Sequence, residues 1–257
     1  MRFAILGSWL GCDLLVEAED VADAIGGLTN PLVAQGVILA VEPAQDPDAA
    51  ALLEGSAYAP GTGATVFLAD AKSAADLANA PVTGGTVSVG GVAATDAGDG
   101  SYLIEPSAGL TYTPGASWTV SIAVPETDPA VADVVLPARA TFTVPDLHVP
   151  GADLEIDLTG QGFTSALGVL LDSNGALVWS NEPQTIEEVY EASGNYEVAS
   201  LLVPGADLAT DGVYLLGVAG LVGTTADQLS GMNTALSNVS AGQIVFKPLT
   251  VGSLPAH

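Results

Sequence analysis

Apolar residues along most of the chain come in short runs that alternate with polar ones, and Gly, Pro, Asp and Ser separate the runs. From Leu32 onward they read VAQGVILAVEP, ATVFLADA, GTVSVGG, SYLIEP, SWTVSIAVP, DVVLPA and ATFTVP. In TVSIAVP, Val120, Ile122 and Val124 share one face, which is the period-two signature of a half-buried strand. Strands about ten residues apart with turn signals between them predict an all-β sandwich or barrel.

The segment PDLHVPGAD, with Pro145, Pro150 and Gly151, interrupts the pattern and reads as a linker. The runs then resume as LEIDLTGQ, LGVLLD, ALVWSN, YEVASLLVP, GVYLLGVAG and IVFKPLTV. Within LLDSNGALVW, Asn174-Gly175 between apolar runs predicts a β-hairpin. The expected fold is therefore two tandem immunoglobulin-like β-sandwich domains, at 32–146 and 152–252. A hexapeptide, VPGADL, occurs at Val149–Leu154 and again at Val203–Leu208. In both halves a Pro-Gly turn leads into an alternating strand opened by an aromatic; Pro presets φ and Gly supplies the turn. The polar, small-residue segment GTTADQLSGMNTALSNVSAG is expected to be a long loop or short helix capping the second sandwich, and the place to meet a partner.

Before Leu32 the pattern differs. The chain opens MRFAILGSWLGCD, a positive Arg2, an apolar run and a small Gly11 ahead of Cys12. This layout resembles a bacterial lipoprotein signal, in which the cysteine is lipidated and becomes the mature N-terminus. The resemblance implies a signal-like segment at 1–11, a lipid anchor on Cys12 and an exported, envelope-bound or extracellular protein. It departs from that family in its short length and in Trp9, where the family's box has Leu. From 12 to 31, Leu14, Val21, Ile25 and Leu28 recur at helical spacing among Glu17, Glu19, Asp20 and Asp23, so a tether or short helix is expected there.

Charge narrows the partners. Of 257 residues, 30 are Asp or Glu and 4 are Lys or Arg, giving a net charge of -26. Phosphate backbones need clusters of Lys and Arg, so nucleic acid is not an expected partner. One cysteine and two histidines leave no disulfide within the chain and no His/Cys metal cage. Mean hydropathy is +0.45. The longest uncharged stretches are nevertheless broken by Gly, Pro and polar residues, so no membrane span is expected. The acidity itself fits a salty medium, a divalent-cation-binding surface, or a secreted domain whose few surface charges are carboxylates.

The stretch Ala80–Gly91, APVTGGTVSVGG, with Thr95–Tyr102, TDAGDGSY, and the following LTYTPGASWTVSIAVP resembles bacterial immunoglobulin-like modules of the carboxypeptidase-regulatory (transthyretin-like) kind. Trp118 takes the aromatic place of their second segment. The resemblance covers part of the first domain. It implies a non-catalytic sandwich of cell-surface and secreted proteins and carries over no active-site residue.

Candidate chemistry is sparse. Asp96 and Asp99 lie in a Gly-rich loop that could offer calcium two carboxylates and carbonyls, although it lacks the EF-hand spacing; the same residues serve a tight turn. Asp153, Glu155 and Asp157 alternate with apolar residues, which reads as an acidic outer strand face guarding an edge. Glu182, Glu187, Glu188 and Glu191, near Trp179, Tyr190 and Tyr196, are the nearest approach to a glycosidase's paired carboxylates. A hydrolytic triad would have to use His148 or His257, and no G-x-S-x-G elbow is present. The expectation is a non-enzymatic structural or binding protein with a membrane lipid anchor and an envelope protein or polysaccharide partner. The alternatives are a calcium-dependent adhesin or assembly subunit and, after it, a carbohydrate-binding or carbohydrate-active protein.

Overall fold

The computed structural model describes residues 30–44, 47–56, 58–70, 80–125, 127–181 and 198–252. Cys12, the 1–11 segment, nearly all of 12–31, Glu182, Glu187, Glu188, Glu191 and His257 lie outside the described residues.

An eight-stranded sheet runs through the molecule in the order β11 (Leu177–Ser180), β10 (Ser165–Leu171), β13 (Gly212–Gly223), β15 (Asn238–Val251), β1 (Leu32–Val41), β2 (Gly61–Asp70), β6 (Ser101–Ile104) and β5 (Thr95–Asp96). Two smaller sheets accompany it. One has the order β14 (Leu229–Ser230), β8 (Ala130–Val135), β7 (Ser117–Ala123), β3 (Thr86–Val89) and β4 (Val92–Ala93); the other pairs β12 (Ser200–Val203) with β9 (Leu154–Asp157). Strand alternation decides which side chains each layer buries. In β7, Val120 and Ile122 are buried between exposed neighbours, and in β9 Leu154 and Ile156 are.

Three cores follow from this layering. Ala34, Ile38, Val66 and Leu68 of the long sheet pack with Val87, Val120, Ile122 and Val134 of the five-stranded sheet. Farther along the sheet, Leu170, Leu216, Val218 and Leu249 pack with Ile156, Leu201 and Val203 of the two-stranded sheet. The third core lies on the opposite face, where Leu39, Val41, Val169, Leu215, Ile244 and Phe246 sit beneath a helix, α1 (Pro47–Gly55). Along β15 the switch is visible residue by residue. Val239 and Ala241 enter the first core, Leu249 and Val251 the second, and Ile244 and Phe246 the third.

The chain is all-β in class, with sandwich layers on either side of the 147–151 segment. The long sheet crosses that segment. β1 pairs in parallel with β15 from Gln35↔Asn238 to Val41↔Ile244, so strands from 32–146 and 152–252 share one ladder. Strand β14, from the second half, also joins the five-stranded sheet by pairing with β8, so both halves contribute to the long sheet and to that layer.

Three local expectations need correction. ATFTVP forms no strand. Instead, the Gln161 amide takes the place of a ladder partner, accepting from Thr141 N at 2.8 Å and donating to Thr141 O at 2.8 Å, while Ala140 and Phe142 are buried. The segment 223–242 is not an open loop over the second half. Leu229 and Met232 enter the first core, Asn233 and Leu236 are buried, and β15 begins at Asn238. The third correction is α1, which the strand reading of 32–71 passes over.

Candidate functional site

The site grows from a break in the ladder of β15. On the side facing β1, pairing ends at Val41↔Ile244, with one further bond from Glu42 N to Ile244 O at 3.2 Å. The next partner on that side is His148, bridged to Val251. Between them β15 presents Val245–Pro248, and Pro248 has no N–H to leave unpaired. A cleft of about 370 Å³ opens over this break. Its walls are Glu42–Ala44 and Ala49 on one side and Arg139–Thr141 on the other.

The polar groups of the cleft are fixed by their neighbours. Glu42 accepts on both carboxylate oxygens, from Gln243 Nε2 at 2.7 Å and from Arg139 Nη1 at 2.9 Å. Lys247 donates to the Phe142 carbonyl, and its Nζ lies 4.4 Å from the centroid of the Phe142 ring. That ring face attracts the ammonium. Arg139 keeps 57 % of its side chain exposed, against 26 % for Glu42. Beyond Nη1 its guanidinium has no protein partner among the described residues, so the remaining donors face solvent. Among the described residues the cleft thus brings together two of the chain's four cations, Thr141 and one carboxylate, with apolar residues between them.

The sites expected from the sequence are distributed elsewhere. Asp96 accepts the backbone N–H of Gly84 on one oxygen and of Gly98 on the other, both at 2.7 Å; Asp99 accepts from Ser101 N at 3.0 Å. These carboxylates close turns, and the Asp96 bond to Gly84 ties together the two stretches that carry the module resemblance. Tyr102 strengthens that tie: its hydroxyl accepts from Gly85 N and donates to Val82 O. Among the described residues no three His, Cys, Asp or Glu side chains are grouped to hold a metal ion. Glu155 and Asp157 are exposed on β9, and Asp153 accepts from Gly205 N at 2.7 Å. His148 is buried, and its Nε2 meets the backbone oxygen of Ala152 at 2.8 Å. No helix among the described residues is long and apolar enough to cross a membrane.

Sequence reading did not find the cleft, because Glu42, Arg139 and Lys247 are far apart along the chain. One signal was available. In a chain with four cations, each is conspicuous, and Arg139 lies in the Pro-flanked LPARA just after a strand.

No family model and no curated protein matches the chain. Several solved structures resemble it. It is similar to the Bacteroides ovatus mixed-linkage glucan utilization locus SGBP-B in complex with a mixed-linkage heptasaccharide, at 15 % identity and TM-score 0.20 over 75 % of this chain. The chain spans 42 % of that protein's length. It is also similar to the fibronectin(III)-like modules of Clostridium thermocellum CbhA, at 10 % identity and TM-score 0.20, covering 76 % of this chain and 88 % of that one. A chimeric titin Z1Z2 matches at 12 % identity and TM-score 0.19, covering 88 % and 96 %. At these values the β-sandwich class stands on the chain's own strand pairing.

Proposed function

We propose that this chain is a non-catalytic binding protein of the cell surface or the secreted space, holding part of an envelope protein or polysaccharide in the cleft over β15. The observation that carries this reading is the composition of the cleft. Among the described residues lining it are two cations, Arg139 with open donors and Lys247, and one carboxylate, Glu42, whose two oxygens are already engaged. Glycoside hydrolysis needs two carboxylates facing each other across the bond, and a nucleophilic mechanism needs a base beside its nucleophile. Donors without an acid–base pair suit recognition.

The test is retention of a native envelope extract and of a polysaccharide panel on immobilised full-length protein, with reducing ends assayed in the same samples. Retention without release of sugar is the expected result; release of reducing ends, or no retention of either material, would sink the proposal. The proposal extends to attachment through a lipid on Cys12, supported by the signal-like sequence before it. Cells fed a fatty-acid analogue should label the wild-type chain and not Cys12→Ala, and equal labelling of both removes the anchor.

A further inference from the structure

We infer that the cleft over β15 selects an organic monocarboxylate about the size of a sugar acid, with Arg139 as its principal partner. This rests on the binding role proposed above and names the chemistry of the ligand. Three observations converge on it.

The first is charge. The chain carries a net charge of -26, yet Arg139 and Lys247 both line this one cleft. At physiological ionic strength charges beyond about 8 Å are largely screened, so a small ligand responds to its nearest neighbours. Among the described residues lining the cleft those are two cations and one carboxylate. A polyanion would extend past this zone and meet the surrounding carboxylates. The ligand that gains is one with a single charge.

The second is geometry. Arg139 spends only Nη1 on Glu42, and a guanidinium fork can engage two carboxylates at once. Glu42 orients the fork from one side and leaves the other open. Lys247, which also lines the cleft, has its ammonium held by the Phe142 carbonyl and ring, which leaves Arg139 as the cation with open donors.

The third is the body of the cleft. Pro43, Ala44, Ala140 and Pro248 supply apolar wall, Thr141 stands beside them, and the volume of about 370 Å³ is at the small end of ligand sites. An acid with an apolar face fits those walls; a bare inorganic anion would leave them wet.

Calorimetry on the full chain should use sodium glucuronate, with glucose as neutral isostere, cyclohexanecarboxylate as an apolar acid of similar size, and polygalacturonate. The expected result is that an acid binds at least about tenfold more tightly than glucose, the scale of a charge-assisted contact. Whichever acid binds more tightly names the source of the carboxylate. Arg139→Gln should weaken acid binding by about tenfold, and Glu42→Gln, which keeps an acceptor for Gln243 while removing a charge, should tighten it. Equal binding of glucose and glucuronate overturns the inference. So does indifference to Arg139→Gln, or polygalacturonate binding more tightly per uronate than glucuronate. Arg139 is exposed, so thermal melting of its variant should match wild type and separate lost binding from lost folding. If envelope partners are still retained while glucuronate neither binds nor competes, the ligand class fails and the binding role stands.

Discussion

At Gly205 an added Cβ would come within 2.3 Å of the Gly151 carbonyl oxygen and 2.7 Å of the Ala152 carbonyl carbon. Both are backbone atoms of the first VPGADL copy, so the two copies of the hexapeptide abut. Gly151 N donates to Leu208 O at 3.0 Å and Asp153 receives Gly205 N, while Val203 pairs with Leu154 on β12 and β9. Backbone cannot move aside as a flexible side chain can. Gly205→Ala should therefore cost about 2 kcal/mol in urea denaturation, within the range for overpacking. Gly151→Ala is the comparison. Its φ of +75° strains an alanine, but nothing lies within 4 Å of the new methyl, so a loss of about 1 kcal/mol is expected. A loss at Gly205 no larger than at Gly151 would refute the contact. Acidity acts at the same scale in Asp172, which accepts backbone N–H from Ala176 and Asn174, each at 2.8 Å, and is held below the usual carboxylate range by them. A depressed folded pKa stabilises above the unfolded value of about 3.9 and stops doing so as pH falls through the folded value. The stability gap between wild type and Asp172→Asn should be full at neutral pH and should narrow below about pH 4. A gap independent of pH would show that the charge contributes nothing to the turn.

The elements differ in how plainly the sequence announces them. The β10–β11 hairpin is legible because Asn174-Gly175 is a local signal and Gly175 takes φ +77°. The strands of the five-stranded sheet are legible for a similar reason, since each alternates within its own span. Helix α1 is short and rich in alanine, and its apolar spacing is confined to Ala49, Leu52 and Leu53 after Pro47. Its stability comes from what it covers: Leu53 is fully buried, Ala49 nearly so, and the neighbouring Tyr58 ring meets Phe246 edge-on at 5.7 Å. Leu53→Ala should accordingly cost about 3 kcal/mol, as a buried Leu truncation does. A loss below about 1 kcal/mol in chemical denaturation would mean that the third core closes without the helix. ATFTVP misleads in the opposite direction. It alternates like a strand, but its backbone partner is a side-chain amide twenty residues later, which no periodicity encodes. The cleft is illegible for the same physical reason as the shared sheet. Arg139 meets Glu42 across 97 positions, and Gln243 meets it across 201, the second contact being set by the register of β1 on β15.

At the scale of the whole molecule, that register makes one ladder out of both ends of the described chain. Ala34 N bonds Ser237 Oγ across 203 positions, and seven residue pairs then run in parallel from Gln35↔Asn238 to Val41↔Ile244. β2 flanks this pair on one side and β13 on the other, so neither strand is an edge where they meet. Because the strands are parallel, the start of β1 and the end of β15 lie at opposite ends of the ladder. A force that draws residue 30 and residue 252 apart loads every inter-strand bond at once, in shear. Drawing apart residue 30 and the exposed Ala235, which both sit near the start of the ladder, opens the bonds one after another. Forced unfolding reports the barrier to unfolding rather than equilibrium stability, and bonds broken together present a higher barrier than bonds broken in turn. Single-molecule pulling should give a higher rupture force with handles at 30 and 252 than with handles at 30 and 235. The first geometry should show one main event that removes β1 from β15, while the core beneath the five-stranded sheet opens with it, since Ile38, Val239 and Ala241 belong to that core. Equal rupture forces in the two geometries would mean that the parallel ladder does not carry the load, and that the two covering layers hold the sheet together independently of it.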